Sequence, residues 1–176
     1  MTTLWEKVEE SGIASHSNLR FPGITVSFFK GEYEHSIDSK GRVSLPAKLR
    51  KDVNPIADDK FTILKGLENC LYLYPEDKWL EVEERLNKIP SFNKKGSMVR
   101  RQFLRFAEDT ALDNQNRIAL SARLKELVGI TDRVTFIGNV DHIELWAPDV
   151  LNNADSDLSD EDYQETFERI MGDLEG

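Results

Sequence analysis

Ile37-Asp38-Ser39-Lys40-Gly41-Arg42-Val43-Ser44-Leu45-Pro46-Ala47-Lys48-Leu49 recurs 75 residues later as Leu112-Asp113-Asn114-Gln115-Asn116-Arg117-Ile118-Ala119-Leu120-Ser121-Ala122-Arg123-Leu124. A second match, at an offset of 73, pairs Phe61-Thr62-Ile63-Leu64 and Leu73-Tyr74-Pro75 with Val134-Thr135-Phe136-Ile137 and Trp146-Ala147-Pro148. Two ordered matches whose spacing differs by a two-residue change in the connection mark an internal duplication, and a repeat of this kind decides the whole architecture.

Each copy has the same physical reading. Phe29 to Ile37 is a strand, closed by a polar group that contains a residue suited to positive φ, Gly41 in one copy and Asn116 in the other. Asp38 and Asp113 stand at the first turn position, where a carboxylate accepts backbone N–H groups two residues on and fixes the bend. Arg42 and Arg117 then start the returning strand, facing the Asp across the turn. A short helix follows, since Pro46 is compatible with a first helical turn and Ser121 is a good cap at the matching place. Leu45, Leu49, Leu120 and Leu124 point inward.

Further strand pairs turn around Gly66 to Asn69 and Asn139 to Asp141, and both copies end at a Pro that can open a helix. From Glu76 to Ile89 the spacing puts Trp79, Val82, Leu86 and Ile89 on one face, and from Ser97 to Ala107 it aligns Val99, Phe103 and Phe106, with Arg100, Arg101 and Arg105 off that stripe. Leu158 to Met171 reads as a terminal helix with a mobile, acidic exposed face, in which Ser159 and Asp162 are spaced like a capping box. The organisation expected is a 1–27 N-terminal extension, a first repeat with its helix over 28–90, a basic connecting helix over 91–106, a second repeat over 107–150 and an acidic helix or tail over 151–176.

A chain of 176 residues can bury a core without disulfides or metal. Its one cysteine, Cys70, lies in the apolar run Cys70-Leu71-Tyr72-Leu73-Tyr74, the usage of a reduced cytosolic protein. No stretch approaches the roughly 20 apolar residues that span a bilayer, and no basic-then-apolar secretory leader is present. A soluble, unprocessed protein without membrane attachment is expected.

The net charge of -9 opposes nucleic-acid binding until its distribution is followed. Residues 149–176 hold ten Asp or Glu and one basic residue, Arg169, while residues 1–148 hold 22 of each sign. Within that neutral body, Phe29 to Lys51 has six basic and three acidic residues, and Phe92 to Phe106 has five basic and none acidic. Local basic surfaces are therefore available.

The segments Phe29-Lys30-Gly31-Glu32-Tyr33, Asp38 to Pro46 and Asp113 to Arg117 closely resemble the MraZ family of bacterial regulators, over about Phe28 to Val150. The resemblance rests on two D-x-x-x-R motifs about 75 residues apart, each followed by an apolar short helix. It places the chain with AbrB-like swapped-hairpin folds and implies an α+β, β-rich protein of two tandem β-α-β units with added helices, forming a small double-psi-like barrel. It further implies ring-shaped homo-oligomers, a cytoplasmic, nucleoid-associated location, and double-stranded DNA with repeated short sites as partner. Those sites lie upstream of the division and cell-wall gene cluster, where the family usually represses. The family's DNA-contacting positions carry over to Arg42 and Arg117, with Lys40 beside the first. Two departures stand out. The family usually begins near Phe28, so the 27 residues before it are either a lineage-specific arm or the product of an upstream start. The second turn has Gln115 and Asn116 where the first has Lys40 and Gly41.

Other readings of the same residues stand beside this one. Arg42 and Arg117 can simply brace a hairpin through Asp38 and Asp113, a pairing that contributes little at a surface and is compatible with DNA contact. Lys48, Arg50, Lys51 and Arg123 are phosphate-contact candidates or members of solvated helix faces. For an enzyme, His16, His35 and His142 lack metal-ligand spacing, there is no phosphate loop or nucleophile elbow, and each candidate Asp has an Arg that keeps it ionised. No catalytic residue, metal or cofactor is expected. An antitoxin-like or scaffold protein working through protein partners is the alternative function, and duplication argues against the antitoxin, which usually carries one copy and a longer disordered tail.

Overall fold

A computed structural model describes residues 27–90, 92–156 and 158–174. Those numbered 1–26, which include His16 and all but the last residue of the expected 1–27 extension, lie outside the described residues. The chain is mixed α+β. Its strands are β1 (Phe29–Ser36), β2 (Arg42–Ser44), β3 (Lys60–Lys65), β4 (Leu71–Pro75), β5 (Glu108–Ala111), β6 (Arg117–Ala119), β7 (Arg133–Val140) and β8 (His142–Trp146). Its helices are α1 (Ala47–Lys51), α2 (Glu76–Asn87), α3 (Lys94–Leu104), α4 (Ala122–Val128), α5 (Pro148–Ser156) and α6 (Asp160–Leu174), with a 3-10 turn at Pro55–Ala57.

Strands are exchanged between the two copies. The larger sheet runs β1-β7-β8-β4-β3-β5, entirely antiparallel, and a separate ladder joins β2 to β6. β1 of the first copy pairs with β7 of the second, and β5 of the second pairs with β3 of the first. The register repeats: Tyr33 lies opposite Phe136 and Ser36 opposite Arg133, as Glu108 lies opposite Ile63 and Ala111 opposite Lys60. In β2–β6 the central pair is Val43 and Ile118, residues equivalent under the 75-residue offset, so a local twofold axis passes through them. Among the described residues no pairing joins the edge strands β1 and β5 into a closed barrel.

One core fills the space between these elements. Val43, Leu45 and Leu49 pack with Ile118, Leu120 and Leu124, and with Phe61, Ile63, Leu71, Leu73, Val134, Phe136, Ile143 and Leu145. Alternation along each strand sends these side chains inward, and the first turns of α1 and α4 add Leu49 and Leu124, both fully buried. Helix starts follow their caps: the Ser121 hydroxyl accepts the Leu124 N–H at 3.2 Å, and Pro46, with φ -51 and ψ 132, stands just before α1 rather than inside it.

Outside this core, Trp79 packs with Leu64 and Tyr74, and α3 lays Phe103 on the same cluster. The stripe expected over Val99, Phe103 and Phe106 is divided. Phe103 meets Trp79 and Phe106 packs against the main core, while Val99 is 62 % exposed. Covering only one edge of the sheet turns α3 so that Val99 faces outward.

Because each copy completes the other's sheet, damage to one should unfold both. Leu49→Ala and Leu124→Ala should each cost about 2–5 kcal/mol. Urea unfolding followed by circular dichroism and by tryptophan fluorescence should show a single coincident transition for each variant, shifted to lower urea.

Candidate nucleic-acid interface

The two D-x-x-x-R motifs build superimposable turns. In the first, the Asp38 carbonyl accepts the Gly41 N–H at 2.9 Å and the Asp38 N–H donates to the Arg42 carbonyl at 2.8 Å. Asp38 Oδ1 accepts the N–H groups of Lys40 and Arg42, both at 2.9 Å, and Oδ2 accepts Arg42 Nε at 2.9 Å and Nη2 at 2.8 Å. In the second, Asp113 Oδ1 accepts the N–H groups of Gln115 and Arg117 at 2.8 and 3.0 Å. Its Oδ2 accepts Arg117 Nε at 2.9 Å and Nη2 at 2.7 Å. One carboxylate thus shapes the turn with one oxygen and holds a guanidinium with the other.

Positive φ is needed once per turn. Gly41 has φ 77, and a Cβ there would come within 3.0 Å of the Leu120 carbonyl oxygen; Asn116 reaches φ 57 with a side chain that tolerates it. The close approach at Gly41 has a function, since its carbonyl accepts the Leu120 N–H at 2.9 Å, and the Asn116 carbonyl accepts the Leu45 N–H at 3.0 Å. Each turn is therefore tied to the other copy just beyond its arginine.

These bonds bring the two arginines onto one surface. Val43 and Ile118 point into the core, so the alternation of β2 and β6 turns Arg42, Ser44, Arg117 and Ala119 outward. Arg42 stands opposite Ala119, and Arg117 opposite Ser44. A two-stranded ribbon results, with a guanidinium at each of two diagonal corners and a small residue across from each. The corners are not equivalent. Arg117 Nη1 also lies 3.6 Å from Asp38 Oδ2, and its side chain is 21 % exposed against 31 % for Arg42.

Other sequence candidates fall around this ribbon in different settings. Lys40 is exposed on the first turn, and Lys48 and Lys51 are exposed on α1 beside the half-buried Arg50. Arg123 is held back: Nη2 donates to the Arg105 carbonyl at 3.2 Å, and the guanidinium lies 4.7 Å from the centre of the Phe106 ring. Lys125 was not singled out in the sequence, yet its Nζ reaches the first turn, 3.8 Å from where a Gly41 Cβ would stand. The repeat contained the signal, because the 75-residue offset pairs Lys125 with Arg50.

Both turn carboxylates are held well below the usual range, at about 2. At Asp38 the leading cause is the Arg42 backbone N–H, followed by its guanidinium. At Asp113 it is the Arg117 side chain. Cys70 is buried and its thiol is pushed up to about 12, chiefly by burial, so it is a packing residue at neutral pH. Among the described residues no group of His, Cys, Asp and Glu is arranged to hold a metal ion, and no helix is long and apolar enough to cross a membrane.

The depressed carboxylates give a signed pH dependence. The folded state binds fewer protons than the unfolded chain, so the stabilisation from Asp38 and Asp113 is complete above the ordinary value of 3.8 and is lost as pH falls towards about 2. Denaturation between pH 5 and 2 should show stability falling with acid, and Asp38→Asn should flatten that slope while lowering stability at pH 7. A carboxyl titration of Asp38 with its midpoint near 4 would contradict the assignment.

Comparison with known proteins agrees with this architecture. The family described as "MraZ protein, putative antitoxin-like" matches twice in tandem, over residues 28–102 and 103–174. The chain is 38 % identical over 144 residues to "Transcriptional regulator MraZ" of Alkaliphilus metalliredigens, covering 81 % of this chain and 98 % of that protein. It is 39 % identical over 140 residues to the protein of the same name from Caldanaerobacter subterraneus subsp. tengcongensis, covering 80 % and 94 %. With two interlaced copies of the turn, a matching family model over nearly all the described chain and relatives matched over nearly their whole length, the chain belongs to the MraZ family.

Proposed function

We propose that this protein is a sequence-specific DNA-binding transcriptional regulator, a repressor acting at repeated short sites upstream of the division and cell-wall gene cluster. The single observation that carries the reading is the outer face of β2–β6. A two-stranded ribbon fits the major groove of B-DNA, where an arginine reads guanine O6 and N7 with two parallel bonds. Holding each guanidinium by Nε and Nη2 on an Asp fixes its plane before contact, so less rotamer entropy is lost on binding. Both relatives described above are named transcriptional regulators, which supports the same reading.

In this reading Lys40 supplements Arg42, and Lys48, Arg50, Lys51 and Arg123 supply phosphate contacts, with Arg123 the most constrained. The two units form the double-psi-like barrel implied by the family, with β2–β6 as its exposed wall. Ring-shaped self-association sets several ribbons against neighbouring repeats, and weak single contacts combine through effective concentration. The protein works in the cytoplasm at the nucleoid, without a cofactor or a catalytic step.

A mobility-shift series with the chain's own upstream DNA tests this directly. Arg42→Ala should cost about 1–3 kcal/mol at one base pair if the guanidinium reads a base edge, or lower the salt slope by about one if it meets a phosphate. Arg117→Ala should weaken binding less, because Asp38 also restrains that guanidinium and Gln115 replaces the lysine. Affinity should fall sharply as the number of repeats is reduced. Unchanged binding by folded Arg42→Ala removes it from the interface, and a wild-type protein that ignores the repeats favours the protein-partner alternative.

A further inference from the structure

Four residues other than glycine have positive φ among the described residues, and three of them are Asp or Asn, which tolerate it. The fourth is Val140, at φ 60 in the tip of the β7–β8 hairpin, where a branched side chain crowds the backbone. Val140 is 54 % exposed, so burial of its methyl groups does not offset the strain. The corresponding hairpin of the first copy turns through Gly66 to Cys70 with no residue at positive φ. Strain of this kind persists only where neighbouring contacts over-determine the backbone.

Those contacts centre on His142. Its Nδ1 lies 2.7 Å from Asp141 Oδ1 in the turn, and its ring centre stands 4.4 Å from that of Tyr72 and 4.9 Å from that of Tyr74, both on β4. Glu144 closes the other side. Its Oε1 accepts Asn139 Nδ2 at 2.8 Å across the hairpin, and its Oε2 accepts Trp146 Nε1 at 2.8 Å. The His142 side chain is 12 % exposed, and its Nε2 stands 3.8 Å from Glu144 Oε1, beyond bonding distance. That nitrogen is the one buried side-chain polar atom among the described residues without a hydrogen-bond partner. Neither neutral tautomer suits this setting. A proton on Nδ1 serves Asp141 and turns the Nε2 lone pair towards Glu144, whereas a proton on Nε2 sets the Nδ1 lone pair against an Asp141 oxygen. The imidazolium alone offers a donor to each carboxylate.

We propose that His142 is a protonation-dependent latch: as the imidazolium it ties Asp141 to Glu144 and holds the strained Val140 turn closed, and on losing its proton it frees the hairpin tip. The latch secures a join between the copies. The β7–β8 hairpin lies between two strands of the first copy, with Val140 opposite Phe29 and Asn139 opposite Lys30 on β1, and Glu144 opposite Tyr72 on β4. The groups facing the ring are Asp141, Glu144, Tyr72 and Tyr74, and burial first of all raises both tyrosines, so they stay uncharged at neutral pH. Arg85 of α2, and Glu68 and Cys70 of the first hairpin, reach those tyrosines in turn. Burial by itself lowers the pKa of His142, but Glu144 and Asp141 outweigh it and raise it above the ordinary 6.5. The folded chain therefore binds this proton more tightly than the unfolded one. Its stabilisation is complete below 6.5 and is lost as pH rises through the folded value, the opposite direction to Asp38 and Asp113. The latch stands in the larger sheet, apart from the β2–β6 ribbon, and holds whether or not that ribbon meets DNA.

Amide hydrogen exchange of the full-length chain, read peptide by peptide by mass spectrometry and corrected for the intrinsic rate at each pH, tests it from about pH 6 to about pH 9. In the wild type, peptides covering the β7–β8 tip and the start of β1 should lose protection as pH rises, while those covering β3 and β5 keep theirs. His142→Gln, which cannot titrate, should exchange at these peptides without pH dependence. Val140→Gly accepts φ 60 without strain, so its tip should stay protected across the range although His142 still titrates. Circular dichroism checks that each variant is folded, and Val140→Gly keeps the test open if His142→Gln is not. Wild-type protection at the tip that does not change with pH would overturn the proposal. So would a Val140→Gly chain that loses protection just as the wild type does, since His142 would then titrate without holding a strained turn.

Discussion

Val43 and Ile118 face each other across the β2–β6 ladder, and the rest of the molecule is arranged by that contact. Both side chains are buried in the common core while their neighbours on each strand face out. A slip of one residue would turn the arginines inward and the valine and isoleucine outward, so the burial of two apolar side chains fixes the position of two charged ones. The bonds Leu120 N–H to the Gly41 carbonyl and Leu45 N–H to the Asn116 carbonyl lock that register from both sides. Exchange of β1 and β5 between copies follows from the same constraint, because each hairpin has to reach across the axis to present its central strand.

Electrostatics then acts on a geometry that packing has set. An arginine at a ribbon corner would sample many rotamers in water, and the Asp four residues earlier in the chain removes most of that freedom with two bonds, from Nε and Nη2, that converge on one carboxylate oxygen. Its other oxygen is occupied by two backbone N–H groups, so the carboxylate cannot follow the guanidinium away from the turn. Arg117 leans additionally on Asp38, a cross-link between the copies that strengthens the fold and restrains the second arginine. The corners have therefore diverged in ion pairing and exposure although their turns are built alike.

The turns were legible in the sequence because their chemistry is local. Asp, a positive-φ residue and Arg at fixed offsets specify a bend within five residues, and the repeat confirmed the pattern in a second context. Strand exchange was not legible from those residues. Tyr33 pairing with Phe136, more than a hundred residues on, is decided by which buried faces fit, and it entered the sequence reading only through family resemblance. The outward turn of Val99 escaped for a related reason: helical spacing says which residues share a face, but not that Phe103 would be taken by Trp79. Lys125 was marked only by its pairing with Arg50 under the 75-residue offset; that its ammonium reaches the other copy's turn is decided by the fold.

Fusing two copies into one chain frees them to differ. Two identical units related by a twofold axis present identical outer ends. Once fused, the units can diverge while the central ladder keeps them matched, and here the divergence is concentrated at the ends. β1 extends four residues further along its partner than β5 does, and α3 is basic where α6 is acidic. The acidic tail that gives this protein its negative charge then has a place in a DNA-binding reading. It lies at the end of the chain farthest in sequence from the first turn and accounts for the whole net charge, leaving residues 1–148 with 22 charges of each sign.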